Sequence, residues 1–169
     1  MAIAKQITFE GLKYNLDNED RLAAEVAHQS AGQKVLVETV TGAGGTKTLV
    51  AGDSGKLFVI NAADGTQTFT LPATADSAGW NAKFIFTTGT HDEDVTFTAD
   101  GDNMIISATA FTGSGNAQSH FTNTHTNLII DVSNANPVAG DRVEFYCDGT
   151  NWYAIGFSNG QGTSMWTGS

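Results

Sequence analysis

From residue 35 onward, short segments of alternating apolar and polar residues are separated by turns rich in Gly and Asp. Alternation with a period of two is typical of strands that bury one face, and this region lacks the 3.6-residue period of a helix. We therefore expect ten strands with no helix between them. The strand candidates are Val35–Val40, Thr46–Ala51, Lys56–Asn61, Gln67–Leu71, Ala82–Thr87, Val95–Ala99, Met104–Ala108, Asn127–Val132, Asp141–Cys147 and Trp152–Phe157.

The turns between these strands decide the fold class that the sequence predicts. They include Gly52-Asp53-Ser54-Gly55 and Asp148-Gly149. Short strands joined by such turns, without crossover helices, favour an all-β, antiparallel β-sandwich or jelly-roll-like domain over residues 35–157. Residues 111–126 are predicted to be a long exposed loop, with a hairpin inside it as the alternative. The Gly/Ser-rich tail, residues 158–169, is expected to be disordered unless Trp166 finds a pocket.

Residues 1–34 have a different pattern and are interpreted as an N-terminal arm. Asp17 or Asn18 can cap one short helix, on which Leu22 and Val26 form a narrow apolar stripe. A helix of this kind is marginal alone, so the arm is expected to dock on a partner or, alternatively, on its own body. The residues expected to make partner contacts are Ile3, Ile7, Phe9, Leu12, Tyr14, Leu22 and Val26 in the arm, and Trp166 in the tail.

Charge and composition exclude several classes of function. The 169 residues carry a net charge of −10, and only 15% are charged, against about 25% in ordinary domains. The arm contributes −1 and the rest of the chain −9, which argues against a nucleic-acid partner. No apolar run is long enough to span a membrane, and the first residues do not resemble a signal peptide. The single cysteine, Cys147, fits synthesis in a reducing cytoplasm.

Four short motifs invite a chemical interpretation, and each has a simpler one. Gly52–Gly55 resembles a serine-protease nucleophile segment but is predicted to be a turn, and residues 42–48 lack the Gly-Lys of a phosphate-binding loop. Residues 91–94 are interpreted as a solvated turn, and His120 and His125 as polar loop residues, since a zinc site needs three or four ligands. We therefore expect no enzymatic activity, no cofactor and no metal.

Two longer segments resemble a known class of proteins. The first is Gly55–Ile60 followed by Phe69-Thr70-Leu71-Pro72 and Ala78–Phe86; the second is Gly140–Phe145 with Asp148–Gly156, which includes Asp-Gly-Thr-Asn-Trp. Together they resemble the β-modules of tailed-bacteriophage virion proteins, above all capsid decoration (cement) proteins. The resemblance covers about residues 50–157, while residues 1–34 match no module of that class.

The resemblance implies a structural protein made in the host cytoplasm and bound to the outer surface of the virion head. Its partners would be the major capsid protein and further copies of itself, most simply as a trimer. The alternative is a tail-fibre, tail-tip or adaptor domain that binds host-surface glycan through aromatic residues such as Trp80 and Phe111. A polysaccharide-degrading hydrolase and a cellular β-sandwich binding module are further alternatives that the sequence favours less.

Overall fold

The computed structural model describes residues 6–9, 12–15, 35–40, 44–61, 65–87, 93–101, 103–110, 118–131, 137–158 and 166–169. The fold is mostly β, as predicted. Contacts within the chain divide it into two compact units, Met1–Val35 and Leu36–Ser169. The first unit contains an antiparallel hairpin of two strands, β1 (Gln6–Phe9) and β2 (Leu12–Asn15). The helix expected around Leu22 and Val26 lies outside the described residues.

The second unit, which we call the body, contains two sheets. Its strands are β3 (Val37–Val40), β4 (Gly45–Thr48), β5 (Leu57–Ile60), β6 (Gln67–Thr70), β7 (Asn81–Phe86), β8 (Val95–Thr98), β9 (Met104–Ala110), β10 (Gln118–His125), β11 (Asn127–Ile130), β12 (Arg142–Cys147), β13 (Trp152–Ser158) and β14 (Trp166–Gly168). One sheet has seven strands in the order β10-β9-β13-β12-β7-β5-β3, and the other has five in the order β14-β11-β8-β6-β4. Two short 3-10 turns, Ala51–Asp53 and Thr74–Asp76, interrupt the connections.

Each of the ten predicted strands overlaps a strand of the body, and two strands lie where none was predicted. β10 falls inside the expected exposed loop and pairs with β9. β14 falls inside the expected disordered tail and pairs with β11. Both segments are polar and lie in Gly-containing regions, so alternation of apolar and polar residues did not predict a strand in either.

The prediction of antiparallel pairing is wrong for the first half of the body. β3, β5 and β7 pair in parallel in one sheet, and β4, β6 and β8 pair in parallel in the other. Consecutive strands therefore alternate between the sheets, and residues 37–98 wind through three coils: β3–β4, β5–β6 and β7–β8. A Gly/Asp turn can lead a strand back beside its neighbour or across to the opposite sheet, so the turn residues alone do not distinguish the two arrangements.

Most strand pairs in the second half of the body are antiparallel, as predicted, and one is parallel. β12 pairs with β7 and with β13, while β13 lies parallel to β9. The predicted turn between β12 and β13 is confirmed, because Gly149 has a φ of 94°, which favours glycine. One oxygen of Asp148, Oδ1, accepts the N–H groups of Thr150 at 2.7 Å and Asn151 at 2.6 Å. This side-chain bonding fixes the turn locally.

The inward faces of both sheets meet in one aromatic core. Phe58 stacks on Phe84 in the seven-stranded sheet with ring centroids 4.7 Å apart, and Phe69 stacks on Phe97 in the five-stranded sheet at 5.2 Å. Phe84 also contacts Phe97 edge to face at 4.7 Å, across the two sheets. The same inward positions are paired in successive coils, Phe58 with Phe84 and Phe69 with Phe97. Their rings therefore stack from one coil to the next and form a continuous core between the sheets.

Candidate functional site

The hairpin places four of the predicted contact positions on one face. Ile7 pairs with Tyr14, and Phe9 pairs with Leu12. The alternate pairs, Gln6–Asn15 and Thr8–Lys13, occupy the other face, because successive strand residues point to opposite sides. The hairpin therefore has one apolar and one polar set of positions. The remaining predicted arm contacts, Ile3, Leu22 and Val26, lie outside the described residues.

A two-stranded hairpin of this size has little stability of its own. Isolated hairpins are at best marginal in water, and they need a third strand or a packing partner to persist. An apolar set that includes Phe9 and Tyr14 is large for such a small element. A hairpin of this kind therefore depends on packing against further residues.

Trp166, the predicted contact in the tail, lies in the core. Its side chain is 1% exposed, and β14 holds it opposite Ile130 of β11. The indole ring approaches Gly156 so closely that a Cβ added at that glycine would lie 3.1 Å from the ring. In this structure Trp166 offers no surface to a partner, and it anchors the end of the tail to the body.

Trp80, which was considered for glycan binding, is a core residue, and so is Trp152. Trp80 and Trp152 are buried and meet edge to face, with ring centroids 5.2 Å apart. Trp80 Nε1 donates a hydrogen bond to the carbonyl oxygen of Val50 at 3.0 Å, which satisfies its polar atom. Phe111, the other aromatic residue of that interpretation, lies outside the described residues. A stacking platform built on these two indoles is therefore wrong for the described structure.

The Gly52–Gly55 segment is a structural turn, as predicted. Asp53 is buried, and its Oδ2 accepts the Val50 N–H at 2.9 Å. Its Oδ1 accepts a hydrogen bond from Lys56 Nζ at 2.6 Å. Burial alone would raise the pKa of Asp53, but the bonds from Lys56 and Val50 hold it below its usual value. Ser54 Oγ accepts the Asn81 N–H, so the hydroxyl ties the turn to β7.

A cluster of charges closes the end of the coils beside this turn. Glu38 and Lys47 occupy the positions that Phe58 and Phe69 occupy in the next coil, and they form an ion pair of 2.6 Å. Lys56 joins Glu38 at 3.3 Å. The hydrogen bond from Lys47 holds the pKa of Glu38 below its usual value. A partly exposed polar pair in place of an aromatic pair ends the hydrophobic stack, as terminal coils of stacked repeats require.

Cys147 packs as a buried residue. Its Sγ lies 3.8 Å from the Thr74 carbonyl oxygen, and burial raises the pKa of the thiol. Among the residues that the structure describes, no three His, Cys, Asp or Glu side chains lie together as metal ligands would. No helix within the described ranges combines the length and the apolar character that a membrane span needs.

The outward face of the seven-stranded sheet is a surface that sequence reasoning missed. Tyr146, Tyr153 and Ile155 are exposed there, and Ile155 is 50% exposed. Tyr146 and Tyr153 lie directly opposite each other in the pairing of β12 and β13. The signal was present in the sequence of β13, where the positions that alternate with the buried residues are Tyr153, Ile155 and Phe157 rather than polar residues.

Charged groups cross the same face and interact with one another. Glu144 lies between Lys83, at 3.3 Å, and Arg142, at 3.9 Å. The Tyr146 hydroxyl donates a hydrogen bond to Glu144 at 2.6 Å, and this bond lowers the pKa of Glu144 below its usual value. The Arg142 guanidinium lies over the Phe157 ring at 4.8 Å. The face therefore combines exposed apolar area with a small, internally paired set of charges.

Comparison with models of known protein families and with curated proteins finds no match to this chain.

Proposed function

We propose that this chain is a non-enzymatic virion protein of a tailed bacteriophage that decorates the outside of the capsid. Residues 1–34 serve as the arm that binds the major capsid protein, and the arm includes the short helix expected near Leu22. The body, a two-sheet sandwich that associates with further copies of itself, lies on the outer surface of the head. The resemblance of residues 50–157 to phage β-modules supports the virion assignment.

The amphipathic hairpin is the observation that supports the proposed role of the arm in capsid binding. Ile7, Phe9, Leu12 and Tyr14 are four of the eight residues that the sequence indicated as contacts, and register brings them to one face. A face of this composition in a hairpin of marginal stability calls for a docking surface. The major capsid protein supplies that surface in the proposed role.

The mechanism is mechanical reinforcement of the shell. An arm that lies across a boundary between capsid subunits adds contacts that must break before the shell opens. Several arms on one oligomer act with a high effective concentration, so modest individual contacts give strong attachment. The net charge of −9 outside the arm fits the outer surface, because packaged DNA would repel it on the inner side.

Paired substitutions on the two faces of the hairpin test this function. The double variant Ile7→Ser/Phe9→Ser removes apolar side chains from one face, and the matched control Gln6→Ser/Thr8→Ser changes the other face. Co-sedimentation with expanded capsids measures binding. We expect the first variant to bind at least about tenfold more weakly, since each buried apolar side chain contributes about 1.5–3 kcal/mol, and the control to bind like wild type. Undiminished binding of Ile7→Ser/Phe9→Ser would overturn the proposed role of the arm.

A further inference from the structure

The outward face of the seven-stranded sheet is continuous across six neighbouring strands, β3, β5, β7, β12, β13 and β9. Pairing aligns its outward residues in rows, one of which runs from Val37 through Leu57, Lys83, Glu144 and Ile155. Its apolar and aromatic members are Val37, Leu57, Val59, Ile85, Ile105, Tyr146, Tyr153, Ile155 and Phe157. Val37, at one edge, is 61% exposed. We call this surface the apolar face.

The apolar face is large enough to be an interface. Six strands of four to seven residues, spaced about 4.8 Å apart and about 13–23 Å long, give an area of about 500 Å². Two such faces in contact would bury about 1,000 Å² in total, which is the lower limit for a specific protein interface. Apolar side chains and the paired charges of Lys83, Glu144 and Arg142 share this area, and mixed surfaces of this size often mark interaction sites.

Charge selects another copy of the chain as that partner. Residues 35–169 contain four basic residues, Lys47, Lys56, Lys83 and Arg142, against thirteen acidic ones. Two of the four, Lys83 and Arg142, lie on the apolar face, beside Glu144. Asp148, at the adjoining turn, accepts a hydrogen bond from Tyr153. Charges are thus nearly balanced on this face, although the body as a whole is strongly acidic.

Two acidic bodies repel each other. The repulsion is weakest when they approach through a face whose own charges are nearly balanced. When two such faces meet, apolar side chains cover apolar side chains. Lys83 and Arg142 of one copy can then pair with Glu144 of the other, so the surface is complementary to itself. A strongly basic or strongly acidic partner would lack this match.

We propose that copies of this chain associate through the apolar face, with the seven-stranded sheets of neighbouring copies turned toward one another. This inference rests on the oligomeric body of the proposed function and assigns its interface.

Two substitutions that add the same charge on opposite sides of the body test the proposal. Ile155→Lys places a cation on the apolar face, on the outward side of β13, whereas Thr96→Lys places one on the outward side of β8 in the five-stranded sheet. Sedimentation equilibrium over a concentration series measures association of the full chain. We expect a wild-type oligomer, a loss of affinity of at least about tenfold for Ile155→Lys, and wild-type association for Thr96→Lys.

Three results would overturn the proposal: a wild-type chain that stays monomeric throughout the series, an Ile155→Lys variant that associates like wild type, or equal weakening by Thr96→Lys. Urea unfolding of each variant shows whether it is folded, and Ile155→Ser replaces Ile155→Lys if the lysine variant unfolds. Co-sedimentation with capsids is scored separately. If Ile155→Lys leaves self-association unchanged while the chain still binds capsids, this interface is wrong and the proposed function is retained.

Discussion

The two outward faces of the body differ in chemistry although they cover the same core. The five-stranded sheet presents Thr46, Thr68 and Thr96 in one paired row and Thr48, Thr70 and Thr98 in the next. The seven-stranded sheet presents tyrosines, aliphatic residues and the Lys83–Glu144–Arg142 cluster. Threonine suits a strand that faces water, while exposed Tyr146, Tyr153 and Ile155 suit a strand that faces protein. This contrast is the reason that we propose the seven-stranded sheet, and not the five-stranded one, as the contact side of the body.

The two outward faces belong to one body only if both sheets share a single core. Phe84→Ala tests that shared core and should have the largest effect of the substitutions proposed here. Phe84 is fully buried and contacts rings of both sheets, including Phe58 and Phe97. We expect the free energy of unfolding in urea to fall by about 3–5 kcal/mol. Ile155→Ala, on the outward face of the same sheet, should change it far less. Similar losses in the two variants would mean that the sheets do not share this core.

Gly156→Val tests how closely the sheets approach each other beside the tail. A Cβ at residue 156 would lie 3.0 Å from Ala108 Cβ and 3.1 Å from the Trp166 ring. Overpacking of this kind costs about 1–3 kcal/mol of unfolding free energy. The double variant Gly156→Val/Trp166→Leu, compared with Trp166→Leu alone, should show a smaller cost, because the ring that is crowded has been removed. An unchanged cost would show that Trp166 does not cause the crowding.

Acid should affect the two faces differently. The Tyr146 hydrogen bond and Lys83 hold the pKa of Glu144 below its unfolded value, against the effect of burial. A lowered pKa stabilises the fold above the unfolded pKa, about 4.3, and this contribution disappears as pH falls through the folded pKa. Urea unfolding at a series of pH values should therefore show a shallower acid limb for Glu144→Gln than for wild type. In Thr96→Val the loss of unfolding free energy with falling pH should match that of wild type. A smaller loss in Thr96→Val would contradict the assignment of this pH dependence to Glu144.

Thr68→Val should have the smallest effect. The side chain lies on the outward face of the five-stranded sheet, and valine keeps both its shape and its strand propensity. We expect the unfolding free energy to change by no more than about 0.5 kcal/mol and the association of the chain to stay as in wild type. A loss of association in Thr68→Val would mean that the threonine rows are themselves an interface.

Most strand positions of the body could be predicted from the sequence, whereas the pairing of the strands could not. The alternation that predicted Leu57–Ile60 and Trp152–Phe157 depends on which residues are buried, and that is a local property. Whether β5 lies beside β4 or crosses to the other sheet depends on packing of Phe58 against Phe84, which are far apart in the sequence. The same limit concealed β14: Trp166 has a place in the core only once β11 is positioned beside it.

The candidate surfaces divide in the same way. Ile7, Phe9, Leu12 and Tyr14 were recognisable because apolar residues in a polar arm stand out, and register then grouped them on one face. The apolar face was missed because Tyr146 and Ile155 belong to strands whose alternation already had an explanation in the core. Only the pairing of β12 with β13 shows that these outward residues are neighbours.

Electron microscopy of purified virions labelled with antibody against this chain tests whether the protein decorates the capsid. We expect label over the outer surface of the head. Label confined to the tail or its fibres, with the head unlabelled, would contradict capsid decoration and favour the glycan-binding alternative.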